Sequence, residues 1–122
     1  MQNSNPKQAI IVNMAVDYPL GRIVAQTCHA SVLNILQQGT WDENEFRINT
    51  SGREELKYWL KEHFTKVVFK VWGEDQLLDI IAQAERKGIP YSVMVEDDGN
   101  KTAIALGPSS RLDSITKSLK LL

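Results

Sequence analysis

The chain has 122 residues, 43% hydrophobic and 24% charged, a balance that suits one soluble globular domain able to bury a core without disulfide staples. Its 14 Lys and Arg against 15 Asp and Glu leave a net charge of −1, which weighs against broad, nonspecific binding of nucleic acid but does not exclude a local basic patch. The single cysteine, Cys28, excludes an intrachain disulfide and fits a reducing compartment.

Residues 1–7 are polar, lack an apolar targeting core, and read as a flexible tail before a single domain over residues 8–122. Gln8–Val16 is almost continuously apolar, as a central strand covered on both faces would be, and is far too short to span a bilayer. A cytoplasmic protein with no membrane partner is expected. Pro19 and Gly21 punctuate the next turn, and a helix is expected from Leu20 or Gly21 to Gln38. Its best apolar stripe is Ala25, Cys28, His29, Val32, Leu33 and Leu36. On that stripe His29 reads as a half-buried side chain bonded to backbone, and Cys28 as a small core residue. Gly39 is a candidate C-cap.

Thr40–Thr50 reads as a polar connection that Trp41 and Phe46 pin to the body; a base-stacking platform is the functional alternative. Ser51 and Glu54 have capping-box spacing, ahead of a helix with Leu56, Trp59, Leu60, His63 and Phe64 on one face. The two histidines fall on different elements with no cysteine pattern beside them, so no zinc site is expected. Lys66–Trp72 is a second strand, and Gly73 opens a helix with Leu77, Leu78, Ile81 and Ala84 as its stripe and Gly88 and Pro90 at its end. The resulting βαβ unit predicts a parallel strand pair.

Ser92–Glu96 and Thr102–Leu106 are the third and fourth strands, made antiparallel by the Asp98-Gly99-Asn100 hairpin signal. A second capping box, Ser110 to Asp113, predicts a last helix burying Leu112, Ile115 and Leu119. The sum is an α/β fold of four strands and four helices, a mixed sheet with helices on both faces.

In open α/β sheets ligands bind beyond the carboxyl ends of the parallel strands. The turn Asp17–Arg22 and the hairpin Glu96–Lys101 are expected to face each other there. A strand feeding a helix start leaves backbone N–H groups free for an anion, and Arg22 adds a forked donor. Arg22, Gln26 and His29 follow at i, i+4 and i+7, on one side of the helix. A carboxylate of the hairpin could orient or deprotonate water while Arg22 holds a phosphate or a developing oxyanion. The same residues also read as an exposed acidic hairpin beside a surface arginine.

The stretch Gly21-Arg22-x-x-Ala25-Gln26-x-x-His29-Ala30 resembles the first motif of the type 2 peptidyl-tRNA hydrolase family, the archaeal and eukaryotic kind. Lys66–Val71, Gly88–Ser92, Leu106-Gly107-Pro108, Asp113–Thr116 and Leu119–Leu122 resemble its later segments, so the likeness runs from about Gln8 to Leu122. The resemblance implies a three-layer α/β/α sandwich around a four-stranded mixed sheet of order 2-1-4-3. It implies hydrolysis of the ester between a peptide, or an N-blocked amino acid, and tRNA, with no organic cofactor and no metal. It implies tRNA or peptidyl-tRNA as partner, and a homodimer. Carried over residue by residue, the catalytic candidates are Arg22, where the family has lysine, and Glu96 with its neighbour Asp97, where the family has aspartate. The substrate-binding candidates are Gly21, Gln26, His29, Lys101 and Thr102. The chain departs from the family pattern in reading Leu20-Gly21-Arg22 for a Lys-Gly-Lys step, and in a shorter hairpin without the family's Thr-Gln. A non-catalytic tRNA- or nucleotide-binding module, or a protein-interaction module on the same fold, is the alternative.

Overall fold

The computed structural model describes residues 5–122. The first four residues of the expected tail lie outside the described residues, and Lys7 already belongs to the first strand, β1 (Lys7–Asn13). β1 runs parallel to β4 (Lys66–Val71), from Gln8 opposite Lys66 to Asn13 opposite Val71. On its other side it runs antiparallel to β6 (Lys101–Ser109), with Ile11 opposite Ile104. β5 (Tyr91–Val95) pairs antiparallel with β6 at one edge, and β7 (Lys120–Leu121) pairs antiparallel with β4 at the other. The sheet therefore has five strands in the order β5-β6-β1-β4-β7, not the expected four. A two-residue strand has no periodicity of its own, and β7 exists only because β4 offers it an edge. The expected βαβ unit keeps its parallel direction, since β4 and β5 both run the same way as β1, but the two strands are not neighbours: β1 and β6 lie between them.

Alternation along the strands divides the core between two faces. Ala9, Ile11, Phe69, Val71, Ile104 and Leu106 pack with Leu77, Ile80 and Ala84 of α3 (Glu74–Arg86) and with Leu112 and Ile115 around α4 (Asp113–Thr116). Ile10, Ala103 and Ala105 point the other way, toward Ala30 of α1 (Leu20–Leu36). β1 is covered on both faces, which is why it reads as an unbroken apolar run. It ends at Asn13, short of the expected Val16.

α1 corrects its expected stripe. Its buried residues are Ile23, Gln26, Ala30, Ser31 and Asn34, whereas Cys28, His29, Val32 and Leu36 are exposed. Polar hydrogen bonds seat this helix. Gln8 Nε2 donates to Asn34 Oδ1 at 2.8 Å, Ser31 Oγ donates to Gln8 Oε1, and Ser92 Oγ donates to the Ala30 carbonyl at 3.2 Å. Each of these groups needs a partner once dry, so the polar side must face the sheet and the aliphatic side is left outward.

Both expected capping boxes fail for a local reason. The Asn49 side chain accepts the Ser51 amide in a turn, and Gly52 at φ 74° carries the chain on, so α2 (Glu54–Lys61) starts from Arg53 without a side-chain cap. His63 and Phe64 lie beyond its end. Before α4, the Glu55 carboxylate accepts the Ser110 amide and Ser109 Oγ accepts the Arg111 amide, so the helix is a single turn starting after Leu112. Thr40–Thr50 contains a hairpin, β2 (Thr40–Asp42) with β3 (Glu45–Arg47), in place of an unstructured connection. Gly39 is there for space: a Cβ would stand 2.4 Å from the Phe46 ring. Gly88, at φ 66°, does close α3 as expected, with Ile89 N–H donating to the Ala84 carbonyl and Gly88 N–H to that of Glu85.

Among the described residues no helix is long and apolar enough to cross a membrane.

Candidate active site

At the carboxyl end of β1, Asn13 ties three segments together. Its Nδ2 donates to the Lys101 carbonyl at 3.2 Å, its Oδ1 accepts the Ala15 amide at 3.0 Å, and the Met14 amide reaches the Val71 carbonyl of β4. The chain then turns through Asp17, Tyr18 and Pro19 into α1. Pro19 is the N-cap and its carbonyl accepts the Arg22 and Ile23 amides. Pro19 has no side-chain group to cap with, and the first turn carries no acidic residue. The amide ends of Leu20 and Gly21 thus point out of the helix start with the dipole's positive end behind them.

Arg22 leaves this turn toward the β5–β6 hairpin and pairs through Nη2 with Glu96 Oε1, immediately beyond the end of β5. The Arg22 side chain is 49% exposed and that of Glu96 19% exposed, so the pair lies at an open sheet edge with the carboxylate tucked inward. The hydrogen bond to Glu96 pushes the guanidinium further above its already high ordinary value, and it stays charged at every working pH. The hairpin that carries Glu96 is closed by its own backbone, with Glu96 N–H on the Asn100 carbonyl and Gly99 N–H on the Glu96 carbonyl. Asp98 accepts both the Asn100 amide and its side-chain Nδ2.

The structure brings Arg22 and Glu96 together as the topology rule predicts. Asp97 is exposed on the same hairpin, and Gly21 is exposed at the helix start with open space where a Cβ would sit. Lys101 Nζ stands 3.8 Å from Glu74 at the start of α3. Gln26 and Thr102 are both buried, and Thr102 Oγ1 donates to Gln26 Oε1 at 2.9 Å, a bond that fastens α1 to β6 just below the Arg22–Glu96 pair. His29 is exposed one turn further along α1, which corrects the half-buried reading.

Sequence reasoning missed Tyr18. Its ring lies under the Arg22 guanidinium, 3.8 Å from ring centroid to Cζ. The available signal was an aromatic four residues before an arginine across a helix start. Burial is the largest influence on the Tyr18 phenol and pushes it above its ordinary value, against the opposing pull of Arg22.

Comparison with known proteins places these features in a family. Residues 6–122 match the family model described as peptidyl-tRNA hydrolase PTH2. The peptidyl-tRNA hydrolase of Methanococcus vannielii is 32% identical, covering 95% of this chain and 98% of the relative. Those of Sulfolobus acidocaldarius and Methanocaldococcus jannaschii are each 32% identical, covering 95% of this chain and 99% of each relative. With the match running through the helix motif, the hairpin and the C-terminal strand alike, the chain belongs to the peptidyl-tRNA hydrolase PTH2 family.

Proposed function

We propose that this chain is a peptidyl-tRNA hydrolase, a carboxylic ester hydrolase that cleaves the bond between a peptide, or an N-blocked amino acid, and tRNA. The observation that carries the reading is the Arg22–Glu96 pair, which joins the family's helix motif to the end of β5 at an open edge. An open edge suits a substrate far larger than the domain.

Hydrolysis needs a water oxygen to add to the ester carbonyl, the carbonyl oxygen to hold negative charge, and the ribose oxygen to leave with a proton. Glu96, or Asp97 beside it, takes the water proton. Arg22 and the free amides at the start of α1 hold the oxyanion or the neighbouring phosphate. Because Arg22 keeps its charge, it acts as a donor and never as an acid or base. The acid that returns a proton to the ribose oxygen is then the carboxyl group that took one from water. Gly21 lets substrate approach the helix start. Gln26 and Thr102 hold the α1–β6 junction, and His29 and Lys101 flank the edge as contacts for tRNA. No organic cofactor or metal enters this scheme.

The protein works in the cytoplasm as a single domain over residues 8–122, and as a homodimer. The dimer reading rests on α1, whose Leu20, Val24, Val32 and Leu36 form an exposed aliphatic row with Cys28 between them.

The test is incubation of an N-acetyl-aminoacyl-tRNA with purified protein. Release of free tRNA and the blocked amino acid is expected. No release at high enzyme concentration would overturn the reading, and tRNA retained at low salt without turnover would favour the binding module instead.

A further inference from the structure

The guanidinium of Arg22 is held on two sides. The Tyr18 ring covers one face at 3.8 Å, and Glu96 takes an N–H of Nη2. The Tyr18 hydroxyl is buried and has no hydrogen-bond partner among the described residues. The Tyr18 side chain is half-buried, and with its hydroxyl unpaired the contact it offers Arg22 is that of its ring. Pro19 and Leu20 follow directly, so the ring is anchored in the turn that starts α1.

We propose that Tyr18 is the positioning residue for Arg22: its ring and Glu96 fix the guanidinium plane, so that the N–H groups not taken by Glu96 keep a set direction for substrate. This proposal rests on the function above and deepens it. An arginine has four side-chain torsions to order before it can donate in a set geometry. A lysine at the same place would act as a point charge and would not need its orientation set, whereas a planar fork does. The ring supplies that orientation electrostatically, and the carboxylate sets the rotation about the ring normal. What the remaining N–H groups then meet in a set direction is a phosphate oxygen or a developing oxyanion.

Two readouts test this. The first is independent of turnover: the Arg22 Nε–Hε resonance in a nitrogen–proton spectrum of the full chain. The ring current of Tyr18 should shift it upfield in the wild type and in Tyr18→Phe, and the shift should vanish in Tyr18→Leu. An unshifted resonance in the wild type would overturn the clamp. The second is kcat/KM on N-acetyl-aminoacyl-tRNA. Tyr18→Leu should lose roughly five- to thirty-fold, the range set by a partly desolvated cation–π contact, with Tyr18→Phe restoring it. In an Arg22→Ala background the same Tyr18→Leu change should cost nothing more. An equal loss in both backgrounds would overturn the role, because Tyr18 would then act without Arg22. A wild type that never cleaves would overturn the hydrolase function and leave the clamp to be judged by the spectrum.

Discussion

At the scale of single residues, the account depends on Arg22 holding charge and orientation. Both titrating groups of the clamp are shifted upward, Arg22 by its hydrogen bond to Glu96 and Tyr18 by burial. A group raised in the folded state contributes fully below its unfolded value and loses that contribution only as pH climbs through the raised one. For a phenol and a guanidinium that window lies above pH 9 or so. A pH–rate profile should therefore show no inflection from either group between about pH 5 and 9. A wild-type inflection near pH 8 that disappears in Tyr18→Phe would contradict this. Gly39 makes a second prediction at this scale. Its absent Cβ would meet the Phe46 ring at 2.4 Å, the Arg47 carbonyl at 2.6 Å and Ile48 at 2.7 Å. Gly39→Ala should destabilise by about 1–3 kcal/mol in chemical denaturation, the usual cost of overpacking. An unchanged midpoint would show that the β2–β3 hairpin moves aside freely. Arg22 and Glu96 were legible as candidates because a general rule of α/β sheets locates them. Tyr18 was not, because stacking depends on the path of a four-residue turn and leaves no periodic trace.

At the scale of elements, α1 decides how the sequence should be read. Its buried side is set by Gln26, Ser31 and Asn34, and its outer side by Val24, Val32 and Leu36, so hydrophobic periodicity points to the wrong face. The signal that competes is Gln8, a fully buried glutamine on β1 whose amide serves Asn34, Ser31 and the Ser31 carbonyl together. A lone polar residue at the start of an apolar strand does not announce a partner 26 positions away. Gln8→Leu should destabilise by about 1–3 kcal/mol despite adding apolar surface, because Ser31 and Asn34 are left unpaired in the dry interior. Equal or greater stability would mean that water enters and replaces the glutamine. The long elements were legible: β1, β4, α3 and the β5–β6 hairpin follow pattern and turn chemistry. The short strands β2, β3 and β7 were not, since two or three residues carry no period and form only against what the rest of the chain presents; the last helix was expected, but not its single-turn length or its missing cap.

At the scale of the whole molecule, the start and the length of α1 present different surfaces. Its start lies at the sheet edge with the Arg22–Glu96 pair, while its length presents the aliphatic row to solvent. A helix of 17 residues is about 25 Å long, enough to align with its copy across a two-fold axis. Val32→Lys should leave unfolding within about 0.5 kcal/mol, as an exposed position allows, yet convert a dimeric mass in light scattering to a monomeric one. A monomeric wild type at high concentration would contradict the dimer. A net charge of −1 fits the proposal of substrate contact at one edge of the fold and not on a basic face. The central claim is that ester cleavage happens at that edge, and single-turnover cleavage of N-acetyl-aminoacyl-tRNA tests it most directly. The account predicts that Arg22→Ala lowers the rate about a hundred- to a thousand-fold, the usual cost of removing a donor to a developing oxyanion, and that the Glu96→Ala, Asp97→Ala double variant falls at least as far. Wild-type rates in folded samples of both variants would contradict it and place the chemistry elsewhere on the molecule.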